Sequence, residues 1–299
     1  MSSVTQETRS YYGQPILKAP EWTWEVPWYF FVGGLAGASS VLSLAAKLTR
    51  NASLEFRARL LAGAGAIASP ALLISDLGRP RRFLNMLRVF KPTSAMSMGS
   101  WILATYGTAA GGAAALQILG RFPRLRPVLD VVAAALGLPM TTYTAVLVAD
   151  TSIPVWHEAR NELPFVFAGS AAASAGAAAT LLVAPAEAGP ARRLAIGGVA
   201  VELAADAVMR RRLGELGEVY DSGDVRQWHT AATACSATGA LLLASAGRRR
   251  APAMAGSALI LTGSLCQRWA VYRAGFASAA DPKYVVGPQR ARRDASVTG

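Results

Sequence analysis

The chain has 299 residues, of which 53% are hydrophobic and only 16% charged, with a mean hydropathy of +0.31. A soluble domain carries about a quarter charged residues, and here the charges stand in short clusters between long apolar runs, so a soluble globular protein is excluded. The net charge of +12 does not indicate nucleic-acid binding, because the arginines sit at the ends of apolar runs, where they serve lipid headgroups and orientation.

An all-α polytopic membrane protein is expected, with about eight spans near 27–47, 57–76, 98–118, 127–149, 164–184, 191–209, 229–246 and 252–272. Residues 1–26 form an extramembrane tail, 27–272 the membrane domain and 273–299 a second tail. Residues 1–20 are polar and no small-residue cleavage site follows the first apolar run, so no cleaved leader is expected. Ala and Gly fill the spans, and Gly33–Gly37 and Gly107–Gly111 are spaced for close backbone approach. In span four, Pro139 can kink the helix one turn before Tyr143, whose hydroxyl lies about 10 Å inside the surface by helix rise. Tyr29 in span one lies at a similar depth.

An even number of spans puts both termini on one side, here called the first side. Its loops are long. Loops on the second side are short and basic: Lys47, Arg50, Arg57 and Arg59; Arg121, Arg124 and Arg126; Arg192 and Arg193; Arg248, Arg249 and Arg250. These 12 of the 30 basic residues favour a cytoplasmic second side and extracytoplasmic termini in the cell membrane. Trp22, Trp24, Trp28, Trp101, Trp156, Trp228 and Trp269 all fall toward the first side, whereas an ordinary aromatic belt marks both interfaces. An aromatic ligand pocket or a docking surface is expected there. A faint repeat, Pro27-Trp28-Tyr29-Phe30 against Pro164-Phe165-Val166-Phe167, with Arg59-Leu60 against Arg193-Leu194, suggests two four-helix bundles.

Ionisable groups inside spans are functional candidates. Glu202 and Asp206 share a helix face, with Arg268 a possible counter-charge. Glu202 reads equally as a proton carrier or as half of a packing ion pair; Asp206, near Arg210, reads as structural. Asp76-Leu77-Gly78-Arg79-Pro80 closes span two, where Pro80 stops the helix and Gly78 permits a sharp turn; taken alone this is a structural turn. His157 and His229 are the only histidines and cannot supply the paired ligands of a membrane haem, and Cys235 and Cys266 cannot hold an iron–sulfur cluster. No metal site, Walker motif or catalytic triad is legible.

Several motifs together resemble the NrfD/polysulfide reductase membrane-subunit (NrfD/PsrC) family. They are Trp24-Glu25-Val26-Pro27-Trp28-Tyr29-Phe30-Phe31 before Gly33-Gly34-Leu35-Ala36-Gly37, Asp76-Leu77-Gly78-Arg79-Pro80 with Arg82-Phe83-Leu84, and Phe90-Lys91-Pro92-Thr93-Ser94-Ala95-Met96-Ser97. Tyr143-Thr144, Pro154-Val155-Trp156, Leu163-Pro164 and Arg268-Trp269-Ala270-Val271 running to Asp281-Pro282-Lys283-Tyr284 complete the pattern. The resemblance implies a helical bundle without haem or cluster of its own that takes menaquinone or ubiquinone as an exchangeable substrate near one face. It implies a ferredoxin-like iron–sulfur partner subunit joined to a molybdopterin catalytic subunit. The family's quinone positions fall on Tyr29 and the turn before it, including Trp28, and on Tyr143, and less directly on Arg79 and Asp76. A His found at the Tyr29 position in some relatives is absent here. Glu25 or Asp76 would pass protons to the aqueous face and Glu202 could extend a proton path. A secondary transporter and an inert membrane anchor are the alternatives.

Overall fold

The computed structural model describes residues 17–79 and 81–285. The outer parts of both tails and the role expected of Pro80 lie outside the described residues. The described chain is helical throughout: α1 (Glu25–Leu48), α2 (Ala52–Asp76), α3 (Arg81–Met86), α4 (Ala95–Leu119), α5 (Leu125–Ala149), α6 (Pro154–Glu158), α7 (Leu163–Leu182), α8 (Gly189–Leu213), a 3₁₀ turn (Gly214–Asp221), α9 (Gly223–Ser245) and α10 (Arg250–Ala280). Eight of these are long, and they coincide with the eight apolar runs. Five of them, α1, α2, α4, α5 and α7, are both long and apolar enough to cross a membrane. The other three, α8, α9 and α10, match them in length but are less apolar: they bury Glu202, Asp206, His229, Gln267 and Arg268 and carry further charges near their ends.

The helices form two four-membered bundles. In the first, α1 packs on α2 and α5, and α4 closes the ring by packing on both of those; in the second, α7 pairs with α8 and α10 with α9, while α7 also meets α10. The bundles join mainly where α7 lies against α1 and α5. The caps are local. Asn51 Oδ1 accepts from Leu54 N at 3.1 Å to start α2, and Gly120, at φ +62°, ends α4 in the left-handed conformation that glycine adopts without strain. Gly78, at φ +66°, makes the expected turn after α2.

Of the two small-residue pairs, only one acts as expected. A Cβ on Gly37 would lie 2.6 Å from Gly137 O and one on Gly33 3.0 Å from Met140 Cε, so α1 and α5 cross at contact distance. Around Gly111 nothing lies within 4 Å of such a Cβ, and at Gly107 the nearest atom is at an ordinary 3.6 Å. That pair does not mediate close packing.

The repeated Arg59 and Arg193 differ in role. Arg193 is exposed, whereas Arg59 is 4% exposed and donates through Nε to Asp130 Oδ1 at 2.7 Å and through Nη2 to Asp130 Oδ2 at 2.9 Å. Glu55 and Gln117 also bond its guanidinium, and Lys47 Nζ lies 3.5 Å from Asp130. This network ties α1, α2, α4 and α5 together at the second side. Arg59 and Lys47 therefore face carboxylates inside the fold, which removes two cations from the free charge of that surface.

Candidate functional site at the first side

Between α1, α2, α4 and α5, just inside the first side, lies a cleft with about 580 Å³ of atom-free space including its open mouth. Its wall contains Tyr29, Tyr143 and Asp76, together with Trp22, Met86 and Met96. The two phenol rings meet edge to face, with centroids 6.4 Å apart. Their convergence follows from helix geometry: Tyr29 stands one turn inside the start of α1 and Tyr143 two turns inside the end of α5, and α1 runs antiparallel to α5.

Space for the Tyr143 ring comes from α4. A Cβ on Gly99 would lie 2.5 Å from Tyr143 Cε2, so a larger residue there would occupy the ring's place. The Tyr143 hydroxyl is buried and has no hydrogen-bond partner among the described residues. An unpaired buried hydroxyl costs about 1–3 kcal/mol, a cost that a ligand accepting its hydrogen bond would remove.

Among the described residues, Asp76 is the single charged one in the wall. Thr23 holds it, donating from N to Oδ1 at 3.1 Å and from Oγ1 to the same oxygen at 2.6 Å. Thr23 Oγ1 also bonds Glu25, so the two carboxylates are linked through one hydroxyl, with Asp76 on the cavity and Glu25 behind it. Farther out, the Lys18 ammonium against Glu21 lowers that carboxyl's pKa, keeping the exposed pair ionised beyond the cavity.

Three expected site residues are elsewhere. Trp28 is exposed and packs edge-on against Phe31, because one step along α1 turns the side chain about 100° from Tyr29. Arg79 is exposed on the turn after α2. Glu202 lies in the second bundle, buried, with one carboxylate oxygen unpartnered among the described residues. Arg268, its possible counter-charge, does interact with it electrostatically, and also donates to Phe167 O at 2.9 Å and lies 3.7 Å over the Phe167 ring. Asp206 is paired with His229 Nε2 at 2.9 Å and accepts from Gln267 Nε2 at 3.2 Å. Arg210 bonds Asp221 rather than Asp206.

The second bundle braces the cavity from outside. Trp22 stacks on Trp156 with centroids 5.3 Å apart, and its carbonyl accepts from Tyr272 Oη at 2.6 Å. Trp156, wholly buried, donates from Nε1 to Val271 O at 2.7 Å. Trp22 was visible in the sequence only as one of seven first-side tryptophans, and Thr23 and Gly99 carried no signal, because each acts through a partner far away in the chain.

A family model described as polysulphide reductase, NrfD, matches residues 17–195, more than half of the chain. Comparison with curated proteins and with solved structures gives no match.

Proposed function

Because the chain belongs to the NrfD family of polysulphide reductase membrane proteins, we propose that it is the quinone-reactive subunit of an oxidoreductase complex. In this reading it passes electrons between an iron–sulfur partner, itself joined to a molybdopterin catalytic subunit, and menaquinone or ubiquinone in the bilayer. The observation that carries the reading is the convergence of Tyr29, Tyr143 and Asp76 in one largely apolar cleft. A quinone headgroup is a flat apolar ring with two carbonyl oxygens, and the cleft offers apolar walls with a few placed polar groups, the usual make-up of a small-molecule site.

A bound quinone supplies two-electron, two-proton redox chemistry. The chain's own residues do the rest. The Tyr143 hydroxyl, free of internal partners, donates to a headgroup carbonyl, and Tyr29 orients the ring from the facing wall. Asp76 exchanges protons with the cavity, and Thr23 links it to Glu25 and the first-side solution. Packed apolar side chains exclude water and strengthen each polar contact. The iron–sulfur partner docks on the first side, where the cleft opens. Glu202 has no place in this scheme, since it lies in the other bundle.

Replacing Tyr143 by Phe removes one hydrogen bond and nothing else. Quinone turnover of the purified complex should fall roughly ten-fold while the subunits still co-purify. Turnover equal to the parent would remove Tyr143 from the mechanism; loss of co-purification would make its role structural.

A further inference from the structure

The segment joining α2 to α4 carries Arg79, Arg81, Arg82, Arg88 and Lys91 with no acidic residue among them. All five are exposed, and none forms an ion pair among the described residues. Between and beside these cations, Leu84, Val89 and Phe90 expose 61–64% of their surface. Five uncompensated cations interleaved with large exposed apolar side chains mark a surface that needs a partner both anionic and apolar.

The level of this surface is fixed by α4. Ser97 Oγ donates to Val89 O at 2.9 Å and accepts from Lys91 N at 3.0 Å. Trp101 donates from Nε1 to Val89 O at 3.4 Å, and its ring meets Phe90 edge to face at 6.0 Å. Val89 and Phe90 are thereby held beside the first two turns of a membrane-crossing helix, at the height where an interfacial tryptophan sits. At that height the surrounding medium is the boundary between acyl chains and headgroups. A bilayer at that height would present acyl chain to Val89 and Phe90 and phosphates to Arg81, Arg82, Arg88 and Lys91.

We propose that Arg79, Arg81, Arg82, Arg88 and Lys91, with the apolar side chains between them, form a binding site for an anionic phospholipid headgroup beside the mouth of the cleft. The site bears on access, because Leu77 and Met86 of the same segment line the cleft, while α3 fully buries no residue and packs chiefly on α4. Headgroup phosphates bridging its arginines supply the fixing that internal packing does not. The site stands whether or not the cleft takes a quinone.

The test uses the full-length protein in nanodiscs of phosphatidylcholine alone or of phosphatidylcholine and phosphatidylglycerol in equal parts. Amide hydrogen exchange of residues 81–91 should slow when phosphatidylglycerol is present. The triple variant Arg81→Gln/Arg82→Gln/Arg88→Gln should lose that protection and retain phosphatidylglycerol less well, roughly five-fold for each charge removed. The variant Arg248→Gln/Arg249→Gln/Arg250→Gln, at the other side, should keep the protection. Equal exchange in both lipids, or protection that survives the first triple variant, would overturn the proposal. Protection seen only with a co-purified subunit, and alike in both lipids, would overturn it too and give the surface to an acidic protein face.

Discussion

Tyr143 owes its position to a residue with no side chain. Gly99→Ala would place a methyl group 2.5 Å from the ring and drive the phenol into the cleft. Binding of a quinone analogue, read by quenching of Trp22 fluorescence, should weaken about ten-fold, in line with an overpacking cost of about 1–3 kcal/mol. Unchanged quenching would mean that the ring relaxes elsewhere. At the opposite end of the same bundle, Asp130→Ala leaves the Arg59 guanidinium buried beside Lys47 without its main acceptor. Glu55 still faces the guanidinium, so about 1–3 kcal/mol should be lost, seen as a lower melting temperature in detergent, and Arg59→Met/Asp130→Leu should cost less than the single change. Among the cleft residues, Tyr29 and Tyr143 were legible from depth along their helices, whereas Asp76 read alone as a structural turn and entered only through the family resemblance. Rotation about the helix was harder to judge, which misplaced Trp28, and Arg59 read as a loop cation because its acceptor lies 71 residues on.

Long helices announce themselves through unbroken apolar runs, and all eight are where those runs predict them. The short α3 and α6, six and five residues long, and the 3₁₀ turn were not legible, since so few residues show no periodicity. The spacing of small residues identified candidates for close approach but not which of them face a neighbour. Gly37→Ala puts a Cβ 2.6 Å from Gly137 O and should lower the melting temperature by the equivalent of about 1–3 kcal/mol. Gly111→Ala, in open space, should be neutral or stabilise α4 by up to about 1 kcal/mol, as alanine suits a helix interior better than glycine. Similar losses at both positions would contradict the packing described.

For the molecule as a whole, the two-bundle plan was hinted at by the Pro27 and Pro164 segments, which open α1 and α7, the first helix of each bundle. The sequence predicts about eight spans, whereas five helices are long and apolar enough to cross by composition; α8 to α10 carry more charge, with Glu202, Asp206 and Arg268 buried and the arginines near their ends largely exposed. Single cysteines introduced into a background with Cys235 and Cys266 replaced would decide how many cross. Positions 50, 122, 187 and 248 should react with an impermeant reagent from one side, and positions 88, 160 and 221 from the other. Labelling of 187 and 221 from the same side would show that α8 does not cross.

The brace joining Trp22, Trp156 and Tyr272 limits how the bundles can move. Rocking one against the other, as carriers do to offer a site to each compartment in turn, would break the bond from Tyr272 to the Trp22 carbonyl and one of the two contacts of Trp156, its stack on Trp22 or its bond to Val271 O. On the proposed reading, a cleft walled by one bundle and buttressed by the other serves a single side of the membrane, without alternating access.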